Sequence, residues 1–266
     1  MIARIATVGD NCIDRYLPPV EHSLVGGNAV NVAVNLRRAG HETAYFGAVG
    51  DDEDGMRTRT VLARLSVDVK SLRTIAQGLT SVTVIATSPD GDRHFVSEDF
   101  GVCRFYRPAD NDLARLKSMA HVHIGWLDDE GFTKRALAQA GVSVSQDLSV
   151  NAEPRNVSPD GLVIAFVSCD GDEAEARHRM KATLDRGARL AVIMRGAQGS
   201  LASSGGEVFR GAALPITVRD TTGAGDSFIA GFLAARLSGK SISECLGSGH
   251  AAAAQTCQIF GGFVQD

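Results

Sequence analysis

What most constrains this chain is an alternation of two patterns: short apolar runs of strand length, each followed by a stretch whose apolar residues recur at helical spacing. Strands are expected over residues 2–8, 43–49, 121–125, 142–147, 162–167 and 189–194. Helices are expected from Gly27 to a stop at Gly40, then at about 56–65, 110–118, 130–140, 172–186 and 241–258. Such alternation predicts an α/β protein, a mostly parallel sheet with helices on both faces. Two segments break the rhythm. Residues 81–87 and 93–98 alternate in character across Pro89-Asp90-Gly91-Asp92, a hairpin signal, and residues 12–24 are strand-like. Together they predict a small antiparallel sheet folded over a crevice. Gly196 to Gly211 reads as a glycine-rich meander.

Length and charge bound the function. At 266 residues the chain can bury one substantial core. It is 44% apolar and 22% charged with a net charge of −4, so neither nucleic acid nor an anionic membrane is an expected partner. No apolar run approaches spanning length, and the N-terminus enters a strand pattern at once, so a cytoplasmic location is expected. Five scattered cysteines without a Cys-x-x-Cys pair read as free thiols. His121 and His123 share one face of a strand, where packing or a substrate contact is expected rather than zinc. The acidic run Gly50-Asp51-Asp52-Glu53-Asp54-Gly55 lacks the spacing of a calcium loop and reads as a solvated helix cap.

The chemistry concentrates in Asp220-Thr-Thr-Gly-Ala-Gly-Asp-Ser-Phe228. Leu214 to Val218 upstream reads as a strand, and Phe228, Ile229, Phe232, Leu233 and Leu237 recur at helical spacing up to Gly239. Gly223 to Asp226 therefore falls at a helix N-terminus, where backbone N–H groups lack intrahelical partners and the dipole favours an anion. Asp226 reads either as a helix cap or as a base beside a bound phosphate, which is what moving a phosphoryl group onto a hydroxyl requires. A dinucleotide fingerprint fails because position 228 is Phe, and no Gly-Lys-Ser or Gly-Lys-Thr of a Walker loop occurs.

Other polar residues stand at positions that face a ligand crevice in an open sheet. Asp10 follows the first strand, where a substrate contact and ordinary turn chemistry are both open readings. Gly26 and Gly27 lead into a helix whose Asn28 and Asn31 project from one side of its first turn. Amides donate and accept, which suits a polyhydroxylated ligand. Asp92, Glu98, Asp99, Asp128 and Asp129 supply acidic candidates near the small sheet and the crevice for an amine-bearing sugar, with surface solvation as the alternative.

With Gly26-Gly27-Asn28-Ala29-Val30-Asn31 early and Asp220-Thr-Thr-Gly-Ala-Gly-Asp226 late, the chain resembles the ribokinase-like (PfkB) carbohydrate kinases over nearly its whole length. Asp10-Asn11-Cys12-Ile13-Asp14, Gly50-Asp51-Asp52 and Asp226-Ser-Phe-Ile-Ala-Gly-Phe232 are most similar to the fructoselysine 6-kinase branch. The resemblance implies a three-layer αβα domain over residues 1–266, with segments at about 12–24 and 80–100 inserted as a β-sheet lid. It implies ATP as donor, Mg²⁺ bridging the phosphates, and a homodimer formed through the lid. It makes Asp226 the general base and Gly223, Ala224 and Gly225 the anion hole. Asp10, Gly27, Asn28 and Asn31 become sugar contacts, and Thr222, Gly223, Gly225, Arg195 and Gly196 fall on the nucleotide side. Asp220 matches a carboxylate that helps hold a monovalent cation such as K⁺.

The chain departs from the family on the nucleotide side. Where Asn-x-x-Glu is frequent it has Cys169-Asp170-Gly171-Asp172-Glu173, so Asp172 or Glu173 is expected to order Mg²⁺ through water. Where Thr-x-Gly is frequent it has Met194-Arg195-Gly196, and Arg195 is expected to supply phosphate charge. The expected activity is phosphorylation of a primary hydroxyl on a sugar or sugar–amine adduct. The alternatives are a kinase of an unmodified sugar or nucleoside and a weakened sugar-binding protein of the same fold.

Overall fold

The computed structural model describes residues 2–88 and 93–265. The turn expected at Pro89 to Asp92, and with it the acidic candidate Asp92, lies outside the described residues. Among the described residues nine strands form one sheet, in the order β13-β12-β11-β10-β9-β8-β1-β4-β5. These are β1 (Arg4–Val8), β4 (Glu42–Gly50), β5 (Asp68–Ile75), β8 (His121–Ile124), β9 (Val144–Asp147), β10 (Ile164–Ser168), β11 (Ala191–Met194), β12 (Ser200–Ser203) and β13 (Phe209–Gly211). Every pair from β5 to β11 is parallel, and the two pairs of the β11-β12-β13 meander are antiparallel. The central strands β8 and β9 are buried along their whole length because helices cover both faces, even where they carry His121, His123, Ser145 and Gln146. Ile5 points into a cluster with Phe166, Phe232 and Leu246, while Ala6 and Val8 point into the opposite one with Phe46, Leu116 and Leu137. That division is the three-layer αβα arrangement.

The helices fall close to the expected places: α1 (Asn28–Arg38), α2 (Glu53–Arg64), α3 (Asp110–Leu116), α4 (Phe132–Gln139), α5 (Glu173–Asp185), α6 (Ala224–Leu237) and α7 (Ile242–Thr256). Asp52 caps α2 by accepting from the Gly55 amide and also accepts from the Thr80 amide and hydroxyl, so the acidic loop is a tether as well as a cap. A second sheet runs β3 (Ser23–Gly26), β2 (Cys12–Tyr16), β6 (Val82–Thr87) and β7 (Arg93–Asp99). Its outer pairs are antiparallel and its central pair, β2 with β6, is parallel, a pairing that hairpin signals do not encode.

Two elements differ from the sequence reading. Leu214 to Val218 forms no strand: β13 already ends the sheet edge, Pro215 lacks an N–H for any ladder, and Leu214 and Val218 stay 50% and 38% exposed. Conversely, β5 was not expected. It is an edge strand in which Lys70, Arg73 and Thr74 interrupt the apolar alternation, and its pairing with β4 shifts register between Ala44 and Phe46.

Candidate active site

The site forms where β1, β9 and the N-termini of α1 and α6 converge. After β1 the chain turns at Gly9, whose φ is 144° and where a Cβ would stand 2.6 Å from the Trp126 carbonyl oxygen, so only glycine fits. Asp10 follows, and its carboxylate accepts from the backbone amides of Asn28 (2.9 Å) and Ala29 (3.2 Å). These are orphan donors at the start of α1, so Asp10 caps that helix from another part of the chain. It also accepts from the Trp126 amide at 3.3 Å. Burial pushes the Asp10 carboxyl up to about 6, against the amide bonds and with Asp226 adding to the push. Asp10 thus caps α1 and also lines a cavity.

Asp226 sits in the first turn of α6, behind Gly223, which has a left-handed φ of 73°. Its two carboxylate oxygens accept from the side-chain amides of Asn28 (2.6 Å) and Asn31 (2.7 Å) on α1. The carboxylate therefore crosses to another helix and is half-buried at the cavity wall. The other Asn28 hydrogen goes to Asp147 at 3.2 Å, at the carboxyl end of β9. Asp147 is buried, accepts from the Ser149 amide at 2.9 Å, and is pushed up to about 7 by that burial, with Asp226 adding. Sequence reading missed Asp147. Its signal was the one used for Asp10, a polar residue closing a predicted strand.

Two cavities meet at this point. The first, about 450 Å³, is lined by Asp10, Asn28, Asn31, Asp147 and Asp226 among others. The second, about 520 Å³, is more apolar and includes Arg195, Gly196, Leu214, Pro215 and Phe228. Met194 and Gly225 line both, and a Cβ at Gly225 would meet nothing within 4 Å. The Ala224 amide donates to the Thr221 carbonyl at 3.2 Å, while Gly225 and Asp226 hold first-turn positions that have no intrahelical acceptor. An anion reaching across from the second cavity meets that turn. Arg195 bonds the Gln198 side chain, and its Nε is buried without a protein partner. The extended Leu214 to Val218 segment finds its place here as a cavity wall.

Other expected residues are not brought to the cavities. Asp172 caps α5 by accepting from the Glu175 amide, and Glu173 pairs with Arg177 and Arg210, so neither carboxylate lines the junction. The Asp220 carboxylate is fully buried and filled: Oδ1 accepts from the Thr222 amide and hydroxyl, Oδ2 from the Tyr16 hydroxyl and the Gly261 amide. A monovalent cation on that carboxylate would have to displace one of these donors, so this residue does not fit the role. Thr222 itself faces the first cavity. Among the described residues no group of three or more His, Cys, Asp or Glu side chains is placed to hold a metal.

Glu98 lines the first cavity, whereas Asp99 accepts from the Gly101 amide, Asp128 accepts from Asn156, and Asp129 caps α4 through the Gly131 and Thr133 amides. His121 and His123 are packing residues. They bond Ser143 and Ser145, and burial lowers them to about 4 and about 3, so both rings are neutral.

The profile of the pfkB family carbohydrate kinases matches residues 5–151 and 157–263. The chain belongs to that family. This pfkB kinase is 36% identical to the fructoselysine 6-kinase of Escherichia coli strain K12, over 97% of its own length and 98% of the relative's. Its fold is similar to that of Arabidopsis thaliana ribokinase complexed with ribose and ATP, at a TM-score of 0.86 and 23% identity, with 98% of this chain and 94% of that one covered. A ribokinase II from E. coli in complex with ATP and Mg²⁺ superposes at 0.81 with 19% identity, covering 98% and 94%. The chain is a carbohydrate kinase with the ribokinase-like fold, and no helix among its described residues is long and apolar enough to cross a membrane.

Proposed function

We propose that this kinase transfers the γ-phosphoryl group of ATP to a primary hydroxyl of a sugar–amine adduct, fructoselysine-like compounds being the leading acceptors. The observation that carries the reading is the Asp226 carboxylate, fixed by two asparagine amides at the mouth where two cavities meet. The acceptor lies in the first cavity against Gly27, Asn28, Asn31 and Asp10. Its hydroxyl proton passes to Asp226, its oxygen bonds the γ-phosphorus, and the bond to the β-phosphate oxygen breaks to release ADP. Amides of the Gly223-Ala224-Gly225 turn and the α6 dipole stabilise charge on the phosphoryl oxygens. Magnesium supplied with the nucleotide neutralises charge on its phosphates.

The adenosine end of ATP occupies the second cavity, where apolar walls suit a base and ribose, and Arg195 with Gly196 and Thr222 face the phosphates. The small sheet, built from β3, β2, β6 and β7, acts as the lid that excludes water. Its edge strands and the 58% exposed Val96 support pairing of two copies through this sheet. The named substrate of the E. coli relative supports the acceptor. A coupled ADP-release screen over sugars, glycated amino acids and nucleosides tests the reading. Highest kcat/KM on a glycated amino acid upholds it, and turnover confined to nucleosides or plain sugars overturns the acceptor class.

A further inference from the structure

The Asp220 carboxylate has no acceptor position to spare for a cation. An ionised carboxylate offers about four lone-pair sites. Here the Thr222 amide (2.9 Å), the Thr222 hydroxyl (2.7 Å), the Gly261 amide (2.8 Å) and the Tyr16 hydroxyl (2.6 Å) donate into them. Three of these donors come from the turn before α6 and from the C-terminal segment. The fourth comes from β2 of the small sheet, 204 residues away in the chain. Asp220 is fully buried, so a lost donor is not replaced by bulk water.

The Tyr16 bond has the short length of a charge-assisted one. Burial, and then the carboxylate it serves, raise the phenol above its ordinary range, so it stays a donor at any working pH. The contact is braced from the C-terminal side. Phe260 sets its ring edge-on against Tyr16, with centroids 6.0 Å apart, and against His22 in the β2–β3 connection, at 4.9 Å. Gly261 has a left-handed φ of 73°, and a Cβ there would stand 2.8 Å from Cδ1 of Leu24 on β3, so the small sheet packs on the backbone that supplies the second donor. A cation and a phenol proton meet the same need, positive charge facing a buried carboxylate. At Asp220 the protein supplies that from its own side chains and amides.

Resting on the kinase reading above, we propose that the Tyr16 hydroxyl takes the place of a monovalent cation at Asp220, so that this kinase turns over without K⁺ and Tyr16 is a positioning residue for phosphoryl transfer. It acts through Asp220 on Thr222 and on the Gly223-Ala224-Gly225 turn, whose amides are the proposed phosphoryl donors. The test measures Tm, and ADP release from ATP and Mg²⁺ with fructoselysine, in KCl and in tetramethylammonium chloride at about 0.15 M each. Tetramethylammonium is too large to sit on a buried carboxylate. Wild type should keep kcat within about twofold and Tm within about 1 °C between the two salts. A larger fall in kcat without K⁺, or a Tm that climbs and saturates with KCl, overturns the cation-free site while leaving the kinase reading standing. Tyr16→Phe should lower kcat by about tenfold in both salts with KM for the acceptor unchanged, since the phosphoryl donors shift and the sugar contacts do not. Phe260→Leu keeps the hydroxyl but loosens its support, and should lower kcat by about threefold; this variant carries the test if Tyr16→Phe does not fold. A kcat equal to that of wild type, or an effect on KM alone, overturns the positioning role. No ADP release with any acceptor of the screen overturns the kinase reading, and the Tm comparison then decides the cation site by itself.

Discussion

The Asn28 side-chain amide bridges two carboxylates: one hydrogen goes to Asp226 at 2.6 Å and the other to Asp147 at 3.2 Å, although these residues lie 198 and 119 positions away in the chain. With Asn31 on the second oxygen of Asp226, α1 holds the proposed base in one orientation. A carboxylate that accepts from two amides is held in a fixed direction, which proton abstraction requires.

Replacing Asp226 by Asn removes the proton acceptor but keeps size and shape. Turnover should fall by about 10²–10⁴-fold while the circular dichroism spectrum and ATP binding by calorimetry stay as in wild type. Turnover near wild type would end the assignment of Asp226 as base.

Asn31→Ala deletes one of the two bonds that aim the Asp226 carboxylate. The carboxylate is then free to turn away from the acceptor hydroxyl, so kcat should drop by about tenfold. A rise in KM with kcat unchanged would assign Asn31 to acceptor binding alone.

Asp147 links the site to stability. Its folded carboxyl titrates at about 7, above its ordinary value near 3.8, so between those values the folded state binds the extra proton. Stability therefore falls as pH rises through that window, by roughly 2 kcal/mol between about pH 5 and pH 7 from this group. Asp147→Asn cannot titrate, so its Tm should lose about 4 °C less than wild type over that range. Equal slopes in differential scanning fluorimetry would count against the buried titration; a constant offset from altered hydrogen bonding would not.

The Tyr16 hydroxyl donates to Asp220 at 2.6 Å and ties β2 of the small sheet to the turn preceding α6. Tyr16→Phe leaves Asp220 three donors and removes a buried charge-assisted bond, so unfolding in urea should show a loss of about 1–3 kcal/mol. A midpoint within error of wild type would mean that the remaining donors compensate.

Much of the fold was legible because it is local. A strand such as β11 announces itself by an unbroken apolar run and α6 by apolar spacing behind two glycines, and these patterns are local. β5 was illegible for a matching reason: an edge strand half in solvent carries Lys70 and Arg73 where alternation would want apolar residues. Leu214 to Val218 has strand composition but no neighbouring edge, and composition cannot supply one. Asp172 and Glu173 show the limit of motif transfer, since both are satisfied on α5 by local partners away from the cavities.

The sequence alone determined the helix N-termini, the glycine turns and the residues able to act as base or amide donor, because each depends on neighbours within a few positions. The tertiary structure decided the rest. Whether Asp226 caps its own helix or is held across a cavity depends on α1 packing against α6. Whether Asp147 joins it depends on sheet order, and whether Glu98 faces the cavity depends on one bulge in β7. Those are contacts between segments far apart in the chain, and no periodicity within a segment encodes which other segment it will meet.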